Sequence, residues 1–305
     1  MKSIQVTSGH LSGRTIRFGR RAPDPNAAKL RFETYATALP TPPASVDYSP
    51  KAMSALSLIY LNDQLGDCVI AGGYHFEGLA TANAGAPVYI ATDGQITADY
   101  TAIGGYIPGN PSTDQGCDEI TALNYWQNKG FANNTKLAGW LALNATSQLQ
   151  VQQSLWLFES AFFGISLPDA WVNPFPSGNG FVWNDGTPDP ENGHCVIGTG
   201  YNTSGIQIAT WGMIGTLTWQ AVHHLATVGA GGALYALLTP DVISKAQAKA
   251  PSGFDWATLI ADFNALGGHI PAPAPVTPPA PSPSPTPVVK THTLAEAQAI
   301  LAAGW

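Results

Sequence analysis

The sequence predicts an α+β domain whose helical half precedes its strand half, flanked by two segments of different character. Three observations predict it. Helix-like stretches come early: CVIAGGYHFEGLATANA from Cys68, then 123–129, then 148–158. Runs rich in β-branched and aromatic residues come later: FFGISL, HCVIGTGYN, GIQIATWG and ALYALLT. Composition changes abruptly at both ends of this region. Helices first and strands later give segregated halves rather than alternating βαβ units.

In chain order, residues 1–45 read as an extended N-terminal arm. PDPNAAK and LPTPPAS interrupt any periodicity, and X-Pro steps favour extended backbone. Within the arm, Arg17–Arg21 (RFGRR) is the one basic cluster, expected to be solvated. Residues 46–268 form the domain, ending in two helical stretches, DVISKAQAK and FDWATLIADFNAL. Residues 269–289 are a linker with nine prolines between 271 and 287. Fully extended polyproline spans about 3.1 Å per residue, so the linker is a semi-rigid spacer. Residues 290–305 predict a short helix with a Thr293/Glu296 capping box and an apolar stripe of Leu294, Ala297, Ile300 and Leu301. A helix this short is marginal alone and needs a surface to dock on.

Composition narrows the function classes. Of 305 residues 45% are hydrophobic, enough for a sizeable core, while only 11% are charged. The net charge of −7 disfavours a broad basic face for nucleic acid. No stretch reaches the ~20 apolar residues of a membrane helix, and the N-terminus lacks the shape of a signal peptide. Three cysteines, an odd number, are not a disulfide framework and suit a reducing compartment. The sparse charge and the two tails point to other protein chains of an assembly as partners, held through 1–45 and 290–305. No cofactor is expected.

The chemistry starts at NDQLGDC (62–68). Cys68 follows a loop with Gly66 and Asp67 and opens a helix, where the dipole and unpaired N–H groups favour the thiolate. GHCVIGTGYN sets His194 at the start of an apolar strand, able to lean toward a helix N-terminus packed on the sheet. Cys195 points to the opposite face. His75, seven residues after Cys68, reads as a core histidine. Cys117 and Cys195 lack metal-ligand spacing, so no zinc site is expected. Asp185 and Asp189 fall in a loop of solvated turns.

Order and surroundings make the Cys/His pair specific. LGDC-VIAGGYHFEG, QGCDEITALNYWQNKGF (115–131), GISLPDAW (164–171), HCVIGTGY (194–201) and ATWG (209–212) follow one another as five short segments. In this order they resemble the papain-like cysteine peptidases over about 190 residues. RRAPDPNAAKLRF, PPASVDYSP and NDQLGDC are similar to small papain-like proteins of bacteria and their phages. The resemblance implies a papain-like fold with Cys68 as nucleophile and His194 as base. It implies an oxyanion-hole amide at Asn62, with Gln64 as the competing candidate, and the Cys68 N–H as second donor. The family's orienting Asn falls on Ala209, a departure that leaves Thr210, Asn192 or a backbone carbonyl to take its place.

Two functions stand side by side. One is a cysteine hydrolase, a peptidase or amidase acting on a peptide substrate. The other is a non-catalytic virion structural or decoration protein that reuses the fold. A virion-associated chain made in the bacterial cytoplasm accommodates both, and a peptide-gripping module without cleavage is a third option.

Overall fold

Short runs of β-branched residues, separated by turns, assemble one sheet, and helices pack against both of its faces. In the computed structural model, which describes residues 2–268 and 270, the arm begins with a hairpin of β1 (Ser3–Gln5) and β2 (Thr15–Arg17), with Ile4 opposite Ile16. After β3 (Val46–Asp47) come three helices: α1 (Cys68–Asn83), α2 (Asp93–Gly104) and α3 (Glu119–Asn128). β4 (Gly139–Ala142) and α4 (Gln148–Phe158) lead into β5 (Ala161–Ser166) and β6 (Phe181–Trp183). β7 (Gly193–Tyr201), β8 (Gly205–Thr210) and β9 (Met213–Thr218) form a meander. α5 (Trp219–Leu225), β10 (Ala233–Leu238), α6 (Pro240–Lys249) and α7 (Trp256–Ala265) complete the described chain.

The sheet order is β4-β10-β5-β7-β8-β9-β6, with β3 added to β7. Every pairing in it is antiparallel except β6 with β9. β7 is buried along its whole length, as a central strand covered on both faces must be. α1 lies against it. The paired glycines that weaken α1 on propensity grounds are explained here. A Cβ on Gly72 would come within 3.2 Å of Cys195 Sγ, and one on Gly73 within 2.8 Å of the Phe131 ring. The bare face lets helix and sheet approach closely.

Three apolar clusters hold the fold together. α1, α2 and α3 pack together with Phe162, Ile197 and Tyr235 of the sheet. The opposite region, around Val196, Ile208 and Leu217, is covered by α5 and by the arm. α4, α6 and α7 enclose Phe32 and Tyr35.

The arm departs from expectation. Val6, Leu11, Ile16, Phe18, Phe32 and Tyr35 are all buried in the chain's own core, and the described residues fold as one unit. Residues 1–45 are therefore not a free arm, and residue 45 is no domain boundary. Their strands are only three residues long, too short to display a period. α2 also escaped the sequence reading, although Thr92 and Gln95 form a capping box and Ile96, Tyr100 and Ile103 share its buried face. Ile270 apart, the linker 269–289 and the helix 290–305 lie outside the described residues.

Candidate active site

The loop before α1 is braced from below. Gly66 N–H donates to Asp114 Oδ1 at 3.0 Å, and that oxygen also accepts the Tyr100 hydroxyl at 2.6 Å. Asp67 ends the loop with its carboxyl fully buried. Burial pushes its pKa well above the usual carboxylate value, which favours the neutral acid. Cys68 then opens α1, where the first N–H groups of the helix have no intrahelical partner. Its thiol is 1% exposed. The backbone N–H groups of Cys195 and Gly19 point at it, yet burial dominates and pushes the thiol up to about 12.

His194 stands on β7, one residue before Cys195, whose side chain packs with α1 and Cys68. Its Nε2 bonds Thr210 Oγ1 at 2.6 Å, and its Nδ1, buried, has no partner among the described residues. The Trp211 ring stacks on the imidazole at 4.2 Å and 20°. Phe18 meets the imidazole edge-on at 6.5 Å. Burial pushes this histidine down to about 3. Thiol and imidazole are thus both neutral in the structure as it stands.

Trp211 is placed by strain. It and Gly212 form the two-residue turn between β8 and β9, with φ of 51° and 73°. Positive φ at both positions is the type I′ hairpin geometry, which suits Gly and resists a bulky residue. The tryptophan is held there while its ring covers His194.

The arm seals the cleft. Residues 19–21 run between the two halves as an extra strand. Gly19 C=O accepts from Cys117 N–H, Arg21 N–H donates to Cys117 C=O, and Arg20 N–H donates to Gly193 C=O, each at 3.0 Å. The approach is so close that a Cβ on Gly19 would stand 1.7 Å from Gly66 O, and one on Gly116 would stand 1.7 Å from Gly19 O. Three glycines make the passage. The Gly19 backbone amide lies beside the thiol, and its hydrogen bond draws the thiol's pKa back only in part.

Scanned against family models the chain matches none, and no curated protein matches it in sequence. Solved structures do match in shape. Xylellain, a cysteine protease from Xylella fastidiosa, superposes with a TM-score of 0.53 at 14% identity, over 73% of this chain and 97% of its own. Digestive procathepsin L 3 of Tenebrio molitor gives 0.52 at 14%, over 73% and 76%. The cysteine protease and lectin-like domains of Cwp84 of Clostridium difficile give 0.50 at 11%, over 73% and 56%.

The chain has the papain-like fold.

On that fold the sequence-derived candidates fall unequally. Cys68 opens α1, His194 lies on β7, against which α1 packs, and Thr210 touches His194 directly. Ala209 is buried and pairs with Ile197, three residues further along β7 than the imidazole. Asn192 donates to Leu167 C=O and Asp169 Oδ1, so it is committed elsewhere. Asn62 is buried, and its two amide hydrogens go to Leu65 C=O at 3.3 Å and Asp67 Oδ1 at 3.2 Å. Gln64 is exposed and so lies away from the buried thiol. His75 donates its Nε2–H to Leu58 C=O at 3.0 Å and is pushed down to about 4 by burial, as a core histidine is. Gly19, Arg20 and Glu119 were not anticipated at the site, and Trp211 reads from sequence either as a groove wall or, more readily, as core. Only the Gly within RFGRR and the Trp-Gly turn left any trace in the sequence, and neither says what it lies against.

Proposed function

We propose that this chain is a papain-like cysteine hydrolase, a peptidase or amidase, kept latent by its own N-terminal arm. The observation that supports it is the unpartnered Nδ1 of His194, buried while Thr210 holds Nε2. If Nε2 carries its hydrogen to the Thr210 oxygen, Nδ1 is the basic nitrogen.

In the proposed reaction Cys68 Sγ attacks the carbonyl carbon and its proton passes to Nδ1. The oxyanion is received by the Cys68 N–H at the helix start. The C–N bond breaks as the imidazolium returns the proton to the leaving amine. Water, deprotonated by the imidazole, then hydrolyses the thioester, releasing the acid and restoring the thiol. Asn62 would join the oxyanion hole only after exchanging Asp67 or Leu65 for substrate.

The test is turnover of fluorogenic peptide amides by the full chain and by Gly19→Val, whose added side chain would collide with Gly66 O. Turnover by Gly19→Val that vanishes with Cys68→Ala supports the proposal. Folded Gly19→Val with no Cys68-dependent turnover on a broad peptide library overturns it.

A second reading, a non-catalytic protein, draws on the closed cleft itself: Cys68 and His194 are each 1% exposed. Association with a phage particle belongs to the proposal as well, and rests on the sequence resemblance. Detection of the chain in purified particles would support it, and its absence there would remove it.

A further inference from the structure

Among the residues of the strap, Arg20 alone enters a built charged pocket. Its side chain is 1% exposed, and its Nε reaches Glu119 Oε1 at 2.6 Å, with Glu119 at 0%. Its Nη1 donates to Gly231 C=O. The opposing sheet is left bare for the pair: a Cβ on Gly164 would lie 1.7 Å from Glu119 Oε1 and 2.5 Å from Arg20 Nε. A cavity of about 250 Å³ adjoins Arg20, with Ser166, Gly193 and Gly231 in its wall.

Two features set this pair apart from an ordinary internal ion pair. First, the contact is made at one point. Glu119 Oε2 and Arg20 Nη2 are both buried and lack partners among the described residues, where a guanidinium and a carboxylate can join in a two-bond fork. The carboxylate keeps a spare acceptor for a guanidinium arriving at another angle. Second, everything else that holds Gly19–Arg21 in the cleft is backbone, which any extended peptide can reproduce. Discrimination between peptides at this point of the cleft falls to Glu119. Burial pushes its carboxyl up while the Arg20 guanidinium draws it back, so a neutral occupant would leave an acid without a counter-ion.

We propose that Glu119, with the Gly231 carbonyl, is an arginine-recognition pocket of the cleft, and that Arg20 is its intramolecular occupant, displaced by an arginine side chain of a peptide ligand. The proposal rests on the cleft being a substrate cleft, as proposed above. Its test is therefore binding, in Cys68→Ala protein that performs no chemistry.

Full-chain Gly19→Val/Cys68→Ala is titrated by fluorescence anisotropy with an extended acetylated peptide bearing one arginine, and with the same peptide bearing citrulline, the neutral near-isostere. The expected result is at least tenfold tighter binding of the arginine peptide, a difference that Glu119→Gln erases. Equal affinities, or a preference that survives Glu119→Gln, overturn the proposal. A second measurement does not need the arm to leave. In Arg20→Ala, propylguanidinium is expected to raise Tm and propylurea is not, and the rise is lost in Arg20→Ala/Glu119→Gln. No guanidinium-specific rise overturns the pocket. A rise without peptide discrimination reduces the pair to a structural tie and overturns recognition. None of these outcomes depends on Cys68, so failure of the hydrolase proposal is read separately, from turnover.

Discussion

At the scale of single residues, three neighbours decide what His194 can do. Thr210 holds Nε2, Trp211 covers the ring, and Phe18 closes the edge. A threonine hydroxyl both donates and accepts, so it fixes the tautomer less firmly than an amide oxygen would. Thr210→Val is expected to slow Cys68 alkylation in arm-displaced protein on the order of tenfold to a hundredfold, because the orienting bond is gone. An unchanged rate would remove Thr210 from the site. The buried histidines also set a pH dependence. His75 is held at about 4 and the unfolded value is near 6.5. The neutral form is favoured by folding, so its contribution is full above pH 6.5 and is lost as pH falls toward 4. Urea midpoints of wild type are expected to drop relative to those of His75→Gln across that window. The contact of Thr210 with His194 was legible because the β7–β8 hairpin returns the chain beside itself within a short stretch of sequence. Asn62 was legible in position but not in role, since hydrogen-bond partners are chosen by the folded loop.

At the scale of elements, the arm is the unexpected part. Its sequence, RFGRR, carries the signature of a solvated basic segment, yet Arg20 is buried between α3 and β5. A sequence shows charge but not the counter-charge 99 residues away. Glu119, the first residue of α3, likewise looks like an ordinary acidic helix start. The pair makes a sharp energetic expectation. Arg20→Ala leaves a buried carboxylate alone and is expected to cost about 3–5 kcal/mol, whereas Arg20→Met/Glu119→Met is expected to be near neutral. Urea denaturation of the two variants and wild type checks this, and equal losses in both variants would contradict it. α1 and the β7–β8–β9 meander were readable from their long apolar runs. β1 and β2 were not, because three-residue strands carry no period.

At the scale of the whole molecule, the α+β order and the papain-like shape were legible, since helical and strand patterns occupy separate stretches of chain. What was not legible is closure. The two halves leave a cleft, and the same chain fills it with a strand bonded to both walls, at Cys117 and Gly193. Burial raises the thiol to about 12 and lowers the imidazole to about 3, directions that oppose a thiolate–imidazolium pair. In the function proposed above, latency is a property of the assembled domain and not of any one residue. The most direct test is the alkylation rate of Cys68 from pH 4 to 9 in intact protein and in Gly19→Val, each with and without His194→Ala. Intact protein is expected to react slowly at every pH. Gly19→Val is expected to react fast well below the ~8.5 pKa of a free thiol, and His194→Ala to abolish that acid limb. If folded Gly19→Val reacts only as an ordinary thiol, indifferent to His194, the cleft holds no activated cysteine and the latent-enzyme account fails.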